Sequence, residues 1–216
     1  MVAVDGDARA DFAPNPAAQA RVQELIDATE NGAIAFRAGT SGEVIHIQSG
    51  MVCLRGDQAM ALTHLFVYPG VPVGDDVGCD YVTPEGKLTV FATRRESLTF
   101  NSYAAGIFQT IAGIYPTARR IDGPMVMTYE GINQPAAGAF AVEIDGKPYI
   151  SSVWIAEVRG WFVEVRATYP SEPRHDPEFL AALSMMWAQK SVRDSASAES
   201  PSDSSAPQLR PRSADD

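Results

Sequence analysis

The sequence lacks the features that mark several common protein classes. No apolar stretch approaches the ~20 residues that a helix needs to cross a bilayer. No run of lysine and arginine is longer than two residues, and 17 basic against 27 acidic residues give a net charge of −10. Proteins that bind nucleic acids usually present a basic face. The sequence therefore predicts no membrane span and no nucleic-acid partner.

The short motifs of nucleotide binding, hydrolysis and zinc coordination are also missing. The chain has no glycine-rich phosphate loop and no GxSxG turn for a serine nucleophile. Its three histidines, His46, His64 and His175, show no HxH or HExxH spacing, and its two cysteines are far apart. We therefore expect no cofactor and no metal ion.

Compartment and cysteine chemistry are linked in this chain. The first residues contain three aspartates and no apolar segment, so the sequence as written predicts a cytoplasmic protein. A missing N-terminal signal would instead make it periplasmic. In a reducing compartment, Cys53 and Cys79 would be buried thiols, whereas an oxidising compartment would suit one disulfide. The favoured prediction is free, buried thiols.

Composition divides the chain into one domain and two tails. Residues 1–14 are acidic and aperiodic, and residues 191–216 are rich in serine and proline, so both are predicted to be disordered. Residues 15–190 form the predicted domain. A helix is expected within residues 15–32, because Asn15 suits a helix N-cap, Pro16 suits the first helical position, and Asn31-Gly32 is a stop signal.

Two strand-rich blocks surround a central helix. Apolar residues alternate with period two over residues 33–94 and again over residues 117–169, and turn residues punctuate both blocks. Helices are predicted at 97–114 and 176–190, the second with an apolar stripe of Phe179, Leu183, Met186 and Trp187. This order predicts an α+β fold, in which an antiparallel sheet packs against helices. In the last strand, Trp161 and every second residue after it are expected to face the core, with Glu164 and Arg166 on a wetter face.

Two segments resemble a known family. VGCDYVTPEGKLTVFATR, followed by a long amphipathic helix, is similar to the first half of PsbP-like domains. AFAVEIDGKPYISSVWIAEVRGWFVEVRATYP, followed by a helix, is similar to the second half. The resemblance covers about residues 60–190 and implies the PsbP/Mog fold, whose members act mostly by binding other molecules. It implies no particular site residue.

The candidate binding residues are two arginine pairs and two aromatic side chains. Arg94-Arg95 and Arg119-Arg120 flank the central helix, and paired guanidinium groups can clamp a carboxylate or phosphate. Local pairing with nearby acids is the alternative for both pairs. Trp154 and Phe162 lie on neighbouring strands, where exposed aromatic rings would form a binding surface. The alternative is that the protein itself partly covers both faces of the sheet.

No complete catalytic constellation is present, so the sequence favours a non-enzymatic binding or accessory module with an unknown protein partner. One alternative is a small enzyme whose site is assembled from scattered residues such as His46, Cys53, Asp75 and Arg94. The other is a structural subunit that forms a homodimer through an exposed aromatic face.

Overall fold

The computed structural model describes residues 14–54, 60–172 and 175–195. Four helices lie within these residues: α1 (Pro16–Ala28), α2 (Gly32–Ala35), α3 (Phe100–Ile114) and α4 (His175–Asp194). Ten strands accompany them: β1 (Phe36–Ala38), β2 (Val44–His46), β3 (Val52–Cys53), β4 (Ala61–Val67), β5 (Asp76–Thr83), β6 (Gly86–Thr93), β7 (Arg119–Ile121), β8 (Ala136–Ile144), β9 (Lys147–Val158) and β10 (Trp161–Pro170). No helix of the described residues is both long and apolar enough to cross a membrane.

The strands form two antiparallel sheets, which confirms the predicted α+β class. The small sheet has the order β1-β2-β3, and the large sheet has the order β4-β5-β6-β10-β9-β8-β7. Consecutive strands β8, β9 and β10 are joined by the two predicted tight turns. In these turns Asp145-Gly146 and Arg159-Gly160 all have positive φ angles, the conformation that two-residue hairpin turns require.

The large sheet carries a helix on each face, and we name each face after its helix. On the α4 face lie alternate residues of β10, namely Trp161, Val163, Val165, Ala167 and Tyr169, in the main core. On the α3 face, Phe162 belongs to a second, smaller core with Tyr103 and Ile111 of α3. The prediction for the α4 face is confirmed. The prediction of a solvent-exposed opposite face is wrong for Glu164, which is fully buried.

Helix α3 lies close to the sheet because of a glycine in the sheet rather than in the helix. A Cβ atom at Gly138 of β8 would lie 2.9 Å from the ring of Phe108 in α3, whereas Cβ atoms at Gly106 and Gly113 would meet nothing within 4 Å. The predicted start at residue 97 is shifted to Phe100, because Thr99 caps the helix through Ser102.

Several predicted elements near the helices differ from the structure. The helix predicted within residues 15–32 corresponds to α1, and Asn31 beyond it adopts the left-handed conformation expected of the stop signal. The short helix α2 that follows was not predicted. Asn15 caps α1 as expected. The pattern of residues 117–169 predicts a first strand from Pro124, but residues 122–128 have no regular structure, and the strand that follows α3 is β7 at residues 119–121. Val126 and Met127 of that loop instead pack against the main core.

Helix α4 is longer than predicted and is rotated relative to the predicted stripe. Its buried face carries mainly small side chains, Ala181, Ala182 and Ala188, together with Met185 and Val192, while Phe179 is 45% exposed. Trp187 is half-buried and does not join Trp161 in the main core. The small side chains allow α4 to approach β9 and β10 closely, so the larger residues lie at its sides.

The last turn of α4 is part of the domain, which corrects the predicted boundary at residue 190. Val192 is fully buried in the main core. The Ser191 hydroxyl accepts a hydrogen bond from the backbone N–H of Val52 in the small sheet, at 3.0 Å. Ser195 donates to the carbonyl of Ser49. The predicted disorder of residues 1–13 and 196–216 lies outside the described residues.

A disulfide joins the two sheets, so the prediction of free thiols is wrong. Cys53 of β3 and Cys79 of β5 are bonded, with their Cα atoms 6.2 Å apart, and both are buried in the main core. The two cysteines are 26 positions apart in the sequence, and they meet because the small sheet folds over the α4 face. The sequence does not indicate how the two sheets are placed relative to each other.

We predict that the native, unreduced protein has no titratable thiol after denaturation. Replacing both Cys53 and Cys79 by alanine should lower the free energy of unfolding by about 3–4 kcal/mol, because the bridge closes a loop in the unfolded chain. That loss corresponds to a fall of the thermal midpoint by about 6–16 °C for a domain of this size. Two titratable thiols without reductant would contradict the disulfide.

We also predict that ending the chain after Lys190 destabilises it relative to a chain that ends after Ser195. The shorter chain loses the buried Val192 side chain and the Ser191 bond to the small sheet. The expected loss is at least about 2 kcal/mol, which thermal unfolding would measure. Equal midpoints for the two chains would show that the last turn of α4 does not stabilise the domain.

Candidate functional site

The first predicted arginine pair is bound to acids of β5 and of the loop before it. Arg94 pairs with Asp75 at 2.5 Å, and Arg95 pairs with Asp76 at 2.7 Å. Arg94 also donates to the side chain of Gln48 and lies 4.8 Å from the ring centre of Trp161. The pairing is therefore local, as the alternative held. The partner acids lie at or directly before the start of the neighbouring strand β5, and neither is Glu96, which follows the arginine pair in the sequence.

The second arginine pair lies on the short edge strand β7. Arg119 and Arg120 are both exposed and point to opposite faces of the sheet, as strand neighbours do. Arg120 lies over the ring of Phe108 in α3, at 5.1 Å from its centre. Arg94-Arg95 follow the interior strand β6, whereas Arg119-Arg120 lie on the edge strand β7, so the two pairs do not converge on one site.

Trp154 and Phe162 do not form a surface, which corrects their assignment as binding residues. Trp154 is fully buried on the α4 face and donates its indole N–H to the carbonyl of Met125 at 2.7 Å. Phe162 is 4% exposed on the opposite face, where its ring stacks on Tyr103 at 4.4 Å. Both rings are covered by the protein itself, so neither can reach a partner.

The residues of the enzymatic alternative come together only in part. His46 is fully buried between Phe36 and Trp161, and burial lowers the pKa of its imidazole to about 4. Its Nδ1 lies 2.7 Å from the hydroxyl of Ser49, which is also buried. Cys53 is bonded in the disulfide. His46 is therefore a core residue, and the exposed strand histidine is His64.

A charged pair lies inside the α3 face, where sequence reasoning expected solvent. Glu164 is fully buried and accepts a hydrogen bond from the Tyr103 hydroxyl at 2.9 Å. It also forms an ion pair with the Nε group of Arg166. Burial raises the pKa of Glu164, and the neighbouring guanidinium opposes that shift. The presence of Phe162 in the same alternating set was the one sequence signal that this face is covered.

Next to this pair, the α3 face is open over strands β4, β5 and β6. The rings of His64, Phe66 and Tyr68 are stacked in a row along β4, with centres 6.3 and 5.8 Å apart. Phe91 of β6 follows Tyr68 at 6.2 Å. Gly78 of β5 lies between Phe66 and Phe91 in the sheet register and leaves room for both rings. We call His64, Phe66 and Tyr68 the aromatic row.

Strand β4 is also an edge of the large sheet. Tyr68 directs its backbone N–H towards β5, where it bonds the carbonyl of Asp76. Because hydrogen-bonding directions alternate along an antiparallel strand, the backbone groups of Leu65 and Val67 point away from β5. They face a cleft of about 300 Å³ between β4 and the C-terminal half of α1. Leu25, Ala28 and Glu30 line the opposite wall of this cleft.

Comparison with known proteins supplies no identity for this arrangement. No known family model matches the chain, and no curated protein sequence is significantly similar to it. Within residues 14–54, 60–172 and 175–195, no group of three or more histidine, cysteine or acidic side chains is placed to hold a metal ion. The features that can indicate a function are therefore the open part of the α3 face and the sheet edge at β4.

The buried carboxyl group generates a prediction about pH. Because folding raises the pKa of Glu164 above its ordinary value near 4.5, the folded state binds its proton more tightly than the unfolded state does. The stabilisation that this group contributes to the folded state is therefore fully present below pH 4.5. It is lost as the pH rises through the pKa of Glu164 in the folded state. Relative to Glu164→Gln, the native protein should gain stability as the pH falls from 7.5 towards 4.5.

Chemical denaturation at several pH values would measure that difference. Glu143→Gln is the matched control, since Glu143 is exposed on β8 and the same substitution there should change stability equally at each pH. A Glu164→Gln difference that stays constant or moves in the opposite direction would contradict the raised pKa.

Proposed function

We propose that this chain is a non-enzymatic binding module that captures an extended segment of a partner protein along strand β4. The observation that carries the proposal is the outer edge of β4, which pairs with no other strand of the described residues and faces the α1 cleft. A peptide strand can add to such an edge by backbone hydrogen bonds, while pockets beside the edge select its side chains. A helix along the open side of the cleft would hold the added strand against the sheet.

The chemistry on either side of the edge favours one kind of peptide. Leu25 and Ala28 offer apolar contact inside the cleft, and the acidic Glu30 lines it as well. On the other side, the aromatic row presents ring faces beside Asp80, which is opposite His64 in the sheet register. Lysine and arginine side chains bind to aromatic faces and to carboxylates. The favoured partner segment therefore alternates apolar with basic residues.

The disulfide between Cys53 and Cys79 favours an oxidising compartment for this activity. Disulfides persist in oxidising compartments and are rare in the cytosol. We therefore propose that the module acts outside the reducing cytosol, in a periplasmic or comparable space, in place of the cytoplasmic location predicted from the sequence. The PsbP-like layout stays a proposal as well, and the two hairpin blocks on either side of α3 support it.

Binding of a designed peptide tests the proposed function. An Arg-Val-Arg-Val-Arg-Val peptide with blocked ends should bind at least ten-fold more tightly than its Glu-Val counterpart in titration calorimetry. Hydrogen exchange should slow at the amides of Leu65 and Val67, which point towards the added strand. Equal affinities, or unchanged exchange at these two amides, would show that the proposal is wrong.

Two variants separate strand addition from general charge attraction. Val67→Pro removes an outward N–H at a sheet edge, where proline is tolerated, and Glu30→Lys reverses the charge at the cleft. Each should weaken binding of the arginine peptide at least five-fold, whereas Glu143→Lys on β8 should not. If the chain is instead a dimer that Val67→Pro dissociates, a second copy occupies the edge and the proposal of a separate partner is wrong.

A further inference from the structure

A second concave surface lies on the α3 face, separate from the β4 edge. It is a groove of about 650 Å³ between the C-terminal half of α3, the β5–β6 hairpin and strands β6, β9 and β10. One wall is apolar and aromatic, and it includes Ile111, Ile114, Tyr115, Ile144 and Tyr149. The other wall is polar, and it includes Thr89, Ser151, Arg166 and Thr168. A groove with one apolar and one polar wall suits a small amphipathic molecule.

The guanidinium of Arg166 is held in place and yet has capacity to bind. Its Nε group is taken by the buried Glu164, and its planar group stacks over the ring of Phe91 at 4.9 Å. Within the described part of the chain, no other hydrogen bond or ion pair of Arg166 is found. The two Nη groups are therefore available at the groove, in the parallel arrangement that a carboxylate accepts.

The charge of the groove differs from that of the whole chain. The chain has a net charge of −10, but the described lining of the groove has two cations, Arg166 and Lys87, against one acid, Glu85. Glu164, which balances Arg166, is buried beneath the surface and does not line the groove. A ligand at the surface of the groove therefore meets the guanidinium of Arg166 directly, beside hydroxyl groups, while the balancing carboxylate lies beneath it.

We propose that this groove binds a small carboxylate with an apolar or aromatic body. The carboxylate bonds to the Nη groups of Arg166, with the hydroxyls of Ser151 and Thr168 beside it. The body lies against Ile114 and Tyr149 on the apolar wall. Glu164 acts as a positioning residue, since it fixes the orientation of the guanidinium without contacting the ligand. This site is independent of peptide addition at β4.

Three probe molecules test the chemistry of the site by two-dimensional NMR titration. The carboxylate probe, 4-phenylbutyrate, should bind at least ten-fold more tightly than 4-phenylbutyramide, and it should shift the amide signals of Ser151, Arg166 and Thr168. Inorganic phosphate should bind at least ten-fold more weakly than 4-phenylbutyrate. An amide or a phosphate that binds as tightly as the acid would overturn the proposal, as would shifts confined to other strands.

Matched variants test the assigned residues. Arg166→Gln should weaken binding of 4-phenylbutyrate at least ten-fold. That change also removes the partner of a buried carboxyl group, so Ile114→Glu provides a second test. Ile114 is 57% exposed at the groove. A carboxylate at this position should repel the ligand and weaken binding at least five-fold. Ile34→Glu, at a residue 60% exposed on α2, should leave binding unchanged. Equal affinity of the Ile114 and Ile34 variants would overturn the proposal, and Val67→Pro should leave this site intact.

Discussion

The arrangement of the domain depends on strand β10, which is paired on both sides and, in its first half, covered on both faces. It forms hydrogen bonds with β6 and with β9, and so joins the first hairpin block of the chain to the second. Helix α4 packs on one face and α3 extends over part of the other. No side chain in the first half of β10 reaches bulk solvent. The carboxyl group of Glu164 is tolerated there because Tyr103 donates a hydrogen bond to it and Arg166 forms an ion pair with it.

Local pattern was enough to predict most strands and the α+β class. Strands β4 to β6 and β8 to β10 follow alternating apolar residues, and the turns at Asp145-Gly146 and Arg159-Gly160 follow from residues that tolerate positive φ angles. The errors arose where tertiary contacts override a pattern. Val126 and Met127 are apolar because they pack on the main core from a loop, and the buried face of α4 is made mainly of alanines, which a search for large apolar residues misses.

The candidate sites were less predictable than the fold, because they depend on which strands are neighbours. Arg166 and Phe91 are far apart in the sequence, and only the pairing of β6 with β10 brings them into contact. The edge position of β4 is likewise a property of strand order. Pairing of Cys53 with Cys79 required the fold of one sheet over the other. Conversely, Trp154 and Phe162 have the composition of a binding surface but serve as core residues.

The pairing of β6 with β10 also has a kinetic consequence. Phe162 lies opposite Thr93, so this central ladder closes a loop of about 70 residues that contains α3 and the strands β7 to β9. The hairpins on either side have short connections and can form early. The ladder that joins them forms later, because closing the long loop between β6 and β10 costs more chain entropy. Refolding should therefore be limited by the docking of two preformed halves, and the edges of β6 and β10 are exposed to other chains until that step is complete.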